Sequence, residues 1–161
     1  MFGRKPQPQI DINLIHYQSM LDAPNDRLTA LFGIVAVNLG SVLGERPYLS
    51  LAWDGRNDDA FQLQSADEAH FKVHRGSLPN ASILVKEDFV LAPNAREELC
   101  KVFWRFSASL PEPMELEAVL GVHGAPPLRV TLGATADDVR SFVQTVRSLG
   151  KPAMGTPIKL R

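Results

Sequence analysis

His70 and His74 stand four residues apart, the spacing that presents two metal ligands on one helical face in zinc proteases. Phe71, Lys72 and Val73 between them alternate as in a strand, however. At about 3.3 Å per residue a strand holds the two side chains about 13 Å apart, on one face but beyond the reach of a shared ion. No glutamate directly follows His70 to serve as a base. His16 falls in a strand pattern and His123 in a turn, and no spacing unites them. Ser41 lies in Gly40-Ser-Val-Leu-Gly44 but is not central, as a nucleophile elbow requires. Cys100 sits beside Leu99 and near Val102 and Phe103, apolar surroundings that keep a thiol inert. Asp54, Asp58 and Asp59 flank a turn without the alternating ligands and closing glutamate of an EF-hand. Glu115 and Glu117 are about 7 Å apart on one strand face. Paired carboxylates serve glycosidases, but a solvated strand face does not raise a carboxyl pKa. Neither a Walker-type phosphate loop nor a GxGxxG run occurs. No catalytic set, metal or cofactor is expected.

The elements that position these residues follow from periodicity. Gln9–Tyr17 alternates with Ile10, Ile12 and Leu14 on one side and reads as a half-buried strand. Asp22–Asp26 is turn-rich and offers Asn25 or Asp26 as an N-cap. The run Leu28–Gly44, LTALFGIVAVNLGSVLG, carries no charge. Its length favours a buried helix, although Phe32–Val37 is rich in strand formers and Gly33 and Gly40 weaken a helix. It falls short of the roughly 20 apolar residues of a membrane span. Strands follow at Tyr48–Trp53, Ala60–Gln64 and Ala69–Arg75, the first two joined as a hairpin through Asp54–Asp59, with shorter extended pieces at Ser82–Lys86 and Phe89–Leu91. Asn94 with Glu97 has capping-box spacing, and Leu99, Val102, Phe103, Phe106 and Leu110 recur as a helical stripe. Two strands, Met114–Val122 and Leu128–Leu132, precede a helix from Thr135 to Leu149 with Asp137 and Asp138 in its first turn. The expected class is α+β: a mostly antiparallel sheet with one long apolar helix and two amphipathic helices packed on one face.

Composition sets the outer limits. At 161 residues, 45% hydrophobic and 22% charged, the chain reads as a single globular domain. Residues 9–150 form it, between basic tails at 1–8 and 151–161. Arg4, Lys5, Lys151, Lys159 and Arg161 are five of the 17 basic residues, and all 18 acids lie between those ends. An acidic body does not suit a nucleic-acid face. Met1–Gln9 lacks the apolar stretch of a secretory leader, and a single cysteine fits a reducing compartment; the expected location is cytoplasmic.

From Asp26 onward the order is helix, three strands, helix, two strands, helix, over residues 26–150. That order resembles the type III secretion chaperones, small acidic cytoplasmic α+β proteins. The resemblance lies in element order and carries over no individual residue. It implies a non-catalytic protein that docks a polypeptide as chaperone, adaptor, immunity or accessory factor, with a homodimer expected. Trp104, at the rim of the second helix's apolar stripe, is the leading contact residue because exposed tryptophan is enriched at binding hot spots. Arg105 beside it, with Glu115, Glu117 and Arg129 on the outer strand face, completes the expected partner surface. The alternative is a small-molecule or lipid-binding module with an apolar pocket between sheet and helices, lined by Phe61, Phe71, Phe103 and Phe142. A third is an enzyme using His70, His74 and nearby acids.

Overall fold

The computed structural model describes residues 6–53, 61–75, 80–85, 88–149 and 153–159. Two antiparallel sheets face each other across one core. The first contains β1 (Ile10–Asp22), β2 (Arg27–Asn38), β4 (Phe61–Ser65), β8 (Arg96–Ser107) and β11 (Ala153–Lys159), in the order β11-β1-β2-β8-β4. The second runs β10-β9-β3-β6-β5, built from β3 (Gly44–Trp53), β5 (Phe71–Arg75), β6 (Asn80–Val85), β9 (Met114–His123) and β10 (Leu128–Ala134); the two-residue β7 (Val90–Leu91) also pairs with β3. A single helix among the described residues, α1 (Ala136–Leu149), packs against β1, β10 and β11. The protein is a β-sandwich, which corrects the α+β expectation.

Two expected helices are strands, each for a legible reason. Leu28–Gly44 spans most of β2, the following loop and the start of β3. β2 is central in its sheet, and Val35 and Val37 on its outer side are buried along with the inward Leu28, Ala30, Phe32, Ile34 and Ala36. A strand buried on both sides shows an unbroken apolar run and hides its period of two. Asn94, expected to open the second helix, instead has φ +60 in the turn before β8. The helical stripe arose from a β-bulge. Ile34 pairs with Cys100 but Val35 with Glu98, leaving Leu99 as the extra residue. The insertion sets Leu99 and Val102 three apart while both stay buried; Phe103 is only half-buried, and Leu110 is 77% exposed. The element order that resembled type III secretion chaperones is therefore absent.

The strand expectations hold in place but not always in pairing. β3 and β4, expected as a hairpin, lie in different sheets: β3 pairs with β9 and β6, and β4 with β8. The acidic turn 54–59 falls outside the described residues. β9 and β10, both expected as strands, pair as a hairpin. α1 starts as expected at Thr135, whose Oγ1 accepts the Asp138 N–H at 3.1 Å while Asp138 Oδ2 accepts the Thr135 N–H at 2.8 Å, a reciprocal cap. Residues 153–159, expected within a basic tail, form β11 and pair with β1. Residues 1–5 of the other tail lie outside the described residues. No helix among them is long and apolar enough to cross a membrane.

Inward side chains of both sheets form the core, with Phe32, Ile34, Leu49, Leu51, Ile83 and Leu116 fully buried. α1 closes one part of it with Val139, Phe142, Val143 and Val146. There the Phe142 ring stacks on His16, with centroids 3.9 Å apart and planes at 13°. His16 Nε2 and Ser19 Oγ share a buried hydrogen bond of 2.8 Å, and Ser19 is itself fully buried. Burial holds the His16 pKa below its ordinary 6.5, against a hydrogen bond to the Gln18 backbone that works the other way. The imidazole thus resists protonation in the fold and accepts it freely in the unfolded chain. Its contribution is complete above pH 6.5 and is lost as the pH falls from there toward the folded pKa. Urea midpoints measured between pH 7 and pH 5 should fall for the wild type and fall less for His16→Gln.

Cys100 is fully buried on β8, and burial, with Glu98 adding in the same direction, pushes its thiol pKa well up. A thiol reagent should leave it untouched in the native protein and modify it fully in denaturant. Rapid native modification would contradict its placement.

A cleft at the bulged edge of the sandwich

A concavity lies beside the start of β8. A short turn, 66–70, connects β4 of one sheet to β5 of the other. Asp67 organises it. Its backbone carbonyl accepts the N–H groups of His70 (3.0 Å) and Phe71 (2.8 Å). Its carboxylate accepts the Ala69 N–H at 2.9 Å and His70 Nδ1–H at 2.6 Å. A short acidic side chain that bonds its own turn is a standard reason for Asp at this position. The His70 bond is the largest influence holding the Asp67 carboxyl below the usual carboxylate range. Ser65 Oγ donates to the Phe71 carbonyl at 2.5 Å, and the Ala66 N–H reaches the Leu99 carbonyl at 3.4 Å, tying the turn to β8.

The β8 side of the cleft lies at the bulge. Adjacent strand residues normally point to opposite faces, yet Glu97 and Glu98 both line this cleft. The extra residue Leu99 follows them directly, and bulges are common at sheet edges beside sites. Ala66, Asp67, His70, Phe71, Phe89 and Lys101 complete a volume of about 520 Å³. Phe71 and Phe89 meet edge to face at 5.0 Å, with the His70 ring 6.2 Å and 6.0 Å from them.

Behind the cleft, the Tyr17 hydroxyl donates to Glu98 Oε2. The two residues sit on β1 and β8, with β2 between them. Tyr17 is the extra residue of a second bulge, where His16 pairs with Phe32 and Gln18 with Leu31. The bond crosses Gly33. A Cβ there would stand 2.5 Å from Tyr17 Cε2 and 2.7 Å from Glu98 Oε2, so only glycine leaves the passage clear. Burial first, then the Glu98 bond, pushes the Tyr17 phenol up to about 12. It therefore stays a neutral donor at all ordinary pH values.

The residues expected from sequence are distributed differently. His70 enters the cleft, while His74 is exposed on β5 and does not line it. Trp104 faces inward at 8% exposure, edge to face with Phe61 at 4.8 Å; it is a core residue because strand alternation, not a helical rim, sets its direction. Arg105 is exposed on β8 in the row of Thr29. Glu115, Glu117 and Arg129 do share an exposed sheet face, but Arg129 stands opposite Val119, and Glu117 accepts a hydrogen bond from Thr131 Oγ1 at 2.7 Å. Among the described residues no group of three His, Cys, Asp or Glu is placed to hold a metal ion. Of the phenylalanines expected to line an apolar pocket, only Phe71 borders this cleft.

No family model matches the chain, and no curated protein matches it. Among solved structures it is similar to a GH20 exo β-N-acetylglucosaminidase from Vibrio harveyi in complex with N-acetylglucosamine (TM-score 0.42, 16% identity), covering 76% of this chain and 17% of that one. It is also similar to a CBM3 of Hungateiclostridium clariflavum (TM-score 0.41, 12% identity), covering 76% of this chain and 97% of that one. The chain thus spans about a sixth of the glycosidase's length. Neither likeness transfers an activity to this chain.

Proposed function

We propose that this β-sandwich is a non-catalytic binding module whose ligand occupies the cleft between the 66–71 turn and the bulged start of β8. The observation that carries the reading is the cleft itself, where Glu97, Glu98, Asp67 and His70 border an aromatic pair beside the β8 bulge. A concave site with an apolar wall and a few convergent polar groups is the usual form of a small-ligand site. The carboxylates favour binding over acid catalysis. A general acid needs a raised pKa, whereas Asp67 is held low by His70, and Glu98 already accepts from Tyr17. Among the described residues no serine, threonine or cysteine lines the cleft.

Amide chemical-shift mapping with a panel of sugars, amines, carboxylates and neutral alcohols tests the reading. At least one class should shift residues 66–71 and 97–101 together. If every binder maps elsewhere, or no class binds, the cleft is not the site.

A polypeptide partner, the leading expectation from sequence, has a separate observation in its favour. Leu39 (62% exposed) and Leu43 stand out on the loop between β2 and β3, close to where exposed Val90 joins the β3 edge. If that end docks protein or a second copy, Leu39→Ser with Leu43→Ser should convert a light-scattering dimer or complex to monomer. A monomeric wild type with no partner-dependent change removes this second reading.

A further inference from the structure

We propose that the cleft recognises an ammonium group carried on an alkyl chain, with the Glu98 carboxylate as its anchor and Tyr17 as the residue that positions that anchor. This rests on the cleft being the binding site and adds the class of its ligand. Among the described residues, three carboxylates line the cleft, Asp67 bonded to His70 and Glu97 and Glu98 with Lys101 as the one lysine beside them. A neutral ligand that displaced water here would desolvate Glu97 and Glu98 without adding a counter-charge to that of Lys101, which is costly. An anion would meet three negative groups. A cation is favoured by both, and the rings of Phe89 and His70, backed by buried Phe71, supply the apolar and π surface that weakly hydrated ammonium groups prefer.

The anchor is built in advance of any ligand. Glu98 is held from behind by a phenol on a strand two removed from its own, and the intervening strand offers Gly33 so that the bond can pass. Two bulges, at Tyr17 and Leu99, flank that crossing. Holding one oxygen of the carboxylate fixes its direction and leaves acceptor capacity for an incoming N–H or a close N⁺. Such preorganisation lowers the entropy lost on binding. The same chemistry is offered by a free alkylamine and by a lysine side chain.

Choline and its neutral isostere 3,3-dimethylbutan-1-ol, followed by NMR titration, separate charge from shape. Choline should bind about tenfold more tightly and weaken with added salt. Cadaverine and a capped Gly-Lys-Gly peptide separate the two sources, and preference for either sustains the ammonium assignment. Glu98→Gln should weaken choline by about tenfold, and Tyr17→Phe by a smaller factor. Lys101→Met should strengthen it, a gain that misfolding cannot mimic. Tyrosinate absorbance reads the positioning bond directly: one phenol should ionise near 12 in the wild type and lower in Glu98→Gln. Equal binding of the neutral isostere, tighter binding of acetate, or a Lys101→Met variant that binds choline no better overturns the ammonium assignment. If a sugar or acetate shifts the cleft and choline does not, the ligand class is wrong but the site stands; if nothing in any class shifts it, both fall.

Discussion

Phe32→Ala is expected to lower the unfolding free energy by about 3–5 kcal/mol, the range for truncating a large, fully buried aromatic. Phe32 is fully buried at the middle of β2. It stands in the row between His16 of β1 and Val102 of β8. Its ring lies 5.4 Å from His16 and meets Phe142 of α1 edge to face at 6.1 Å. The truncation therefore opens a cavity where the helix docks on the sheet. Neighbouring strands are fixed by their ladders and can collapse only in part, so the cavity adds to the transfer cost. Against a typical stability of about 5–15 kcal/mol, the loss is large enough to bring some of the protein to the edge of unfolding. Urea melts give the magnitude, and amide exchange should show the extra loss of protection concentrated in α1. A loss under about 1 kcal/mol would mean that Phe32 is not where β2 and α1 meet. Water entering the cavity should also return the His16 pKa toward 6.5, so the acid sensitivity of the wild type should shrink in the variant.

Strand positions were largely legible, and sheet architecture was not, for a physical reason that differs element by element. Where one face is solvated, as in β9 with Glu115 and Glu117 outward and Leu116 and Ala118 inward, the alternation is plain. β10 and the hairpin between them follow from the same signal. α1 was legible because an isolated helix on a sheet needs both a cap and a stripe, and Thr135, Val139, Phe142, Val143 and Val146 provide them. β2 failed because both its faces are covered, which erases the alternation. β8 failed because a one-residue bulge shifts its phase partway along and produces spacings of three. No local pattern could have announced that β3 and β4 part into different sheets, since that pairing is decided by β8 and β9, far along the chain.

The cleft was hidden by the same bulge. Glu97 has the spacing of a capping partner for Asn94, and no motif marks Asp67. His70 was singled out for its spacing to His74, yet its partner in the structure is Asp67, three residues before it in a turn. Tyr17 and Glu98 are joined across a third strand, and the one sequence mark of that contact is a glycine at position 33, which counted only against a helix. Adjacent glutamates beside Leu99 become informative once the segment is known to be a strand, because alternation would otherwise part them.

Gly133→Ala is expected to destabilise by about 3 kcal/mol, toward the upper end of overpacking costs, while Gly121→Ala costs well under half of that. Both glycines lie in the β9–β10 region, and at both a Cβ would meet an atom far inside van der Waals contact. What they meet differs. At Gly121 the obstacle is the ring of Tyr48, which is 45% exposed and can swing outward. At Gly133 it is the backbone carbonyl oxygen of Met114 on the paired strand. That oxygen moves only if the two strands separate, and Gly133 is the next-to-last position of their ladder, opposite Glu115. The adjoining pair, Ala134 with Met114, is buried, and Thr135 immediately opens the cap of α1. Strain at Gly133 therefore passes to the N-terminus of the helix, and urea melts of Gly133→Ala should show lost stability together with faster exchange of the first turn of α1. Equal costs at the two glycines would show that Tyr48 is as firmly held as the Met114 backbone, which would make its exposed ring a packed part of the sheet's outer face.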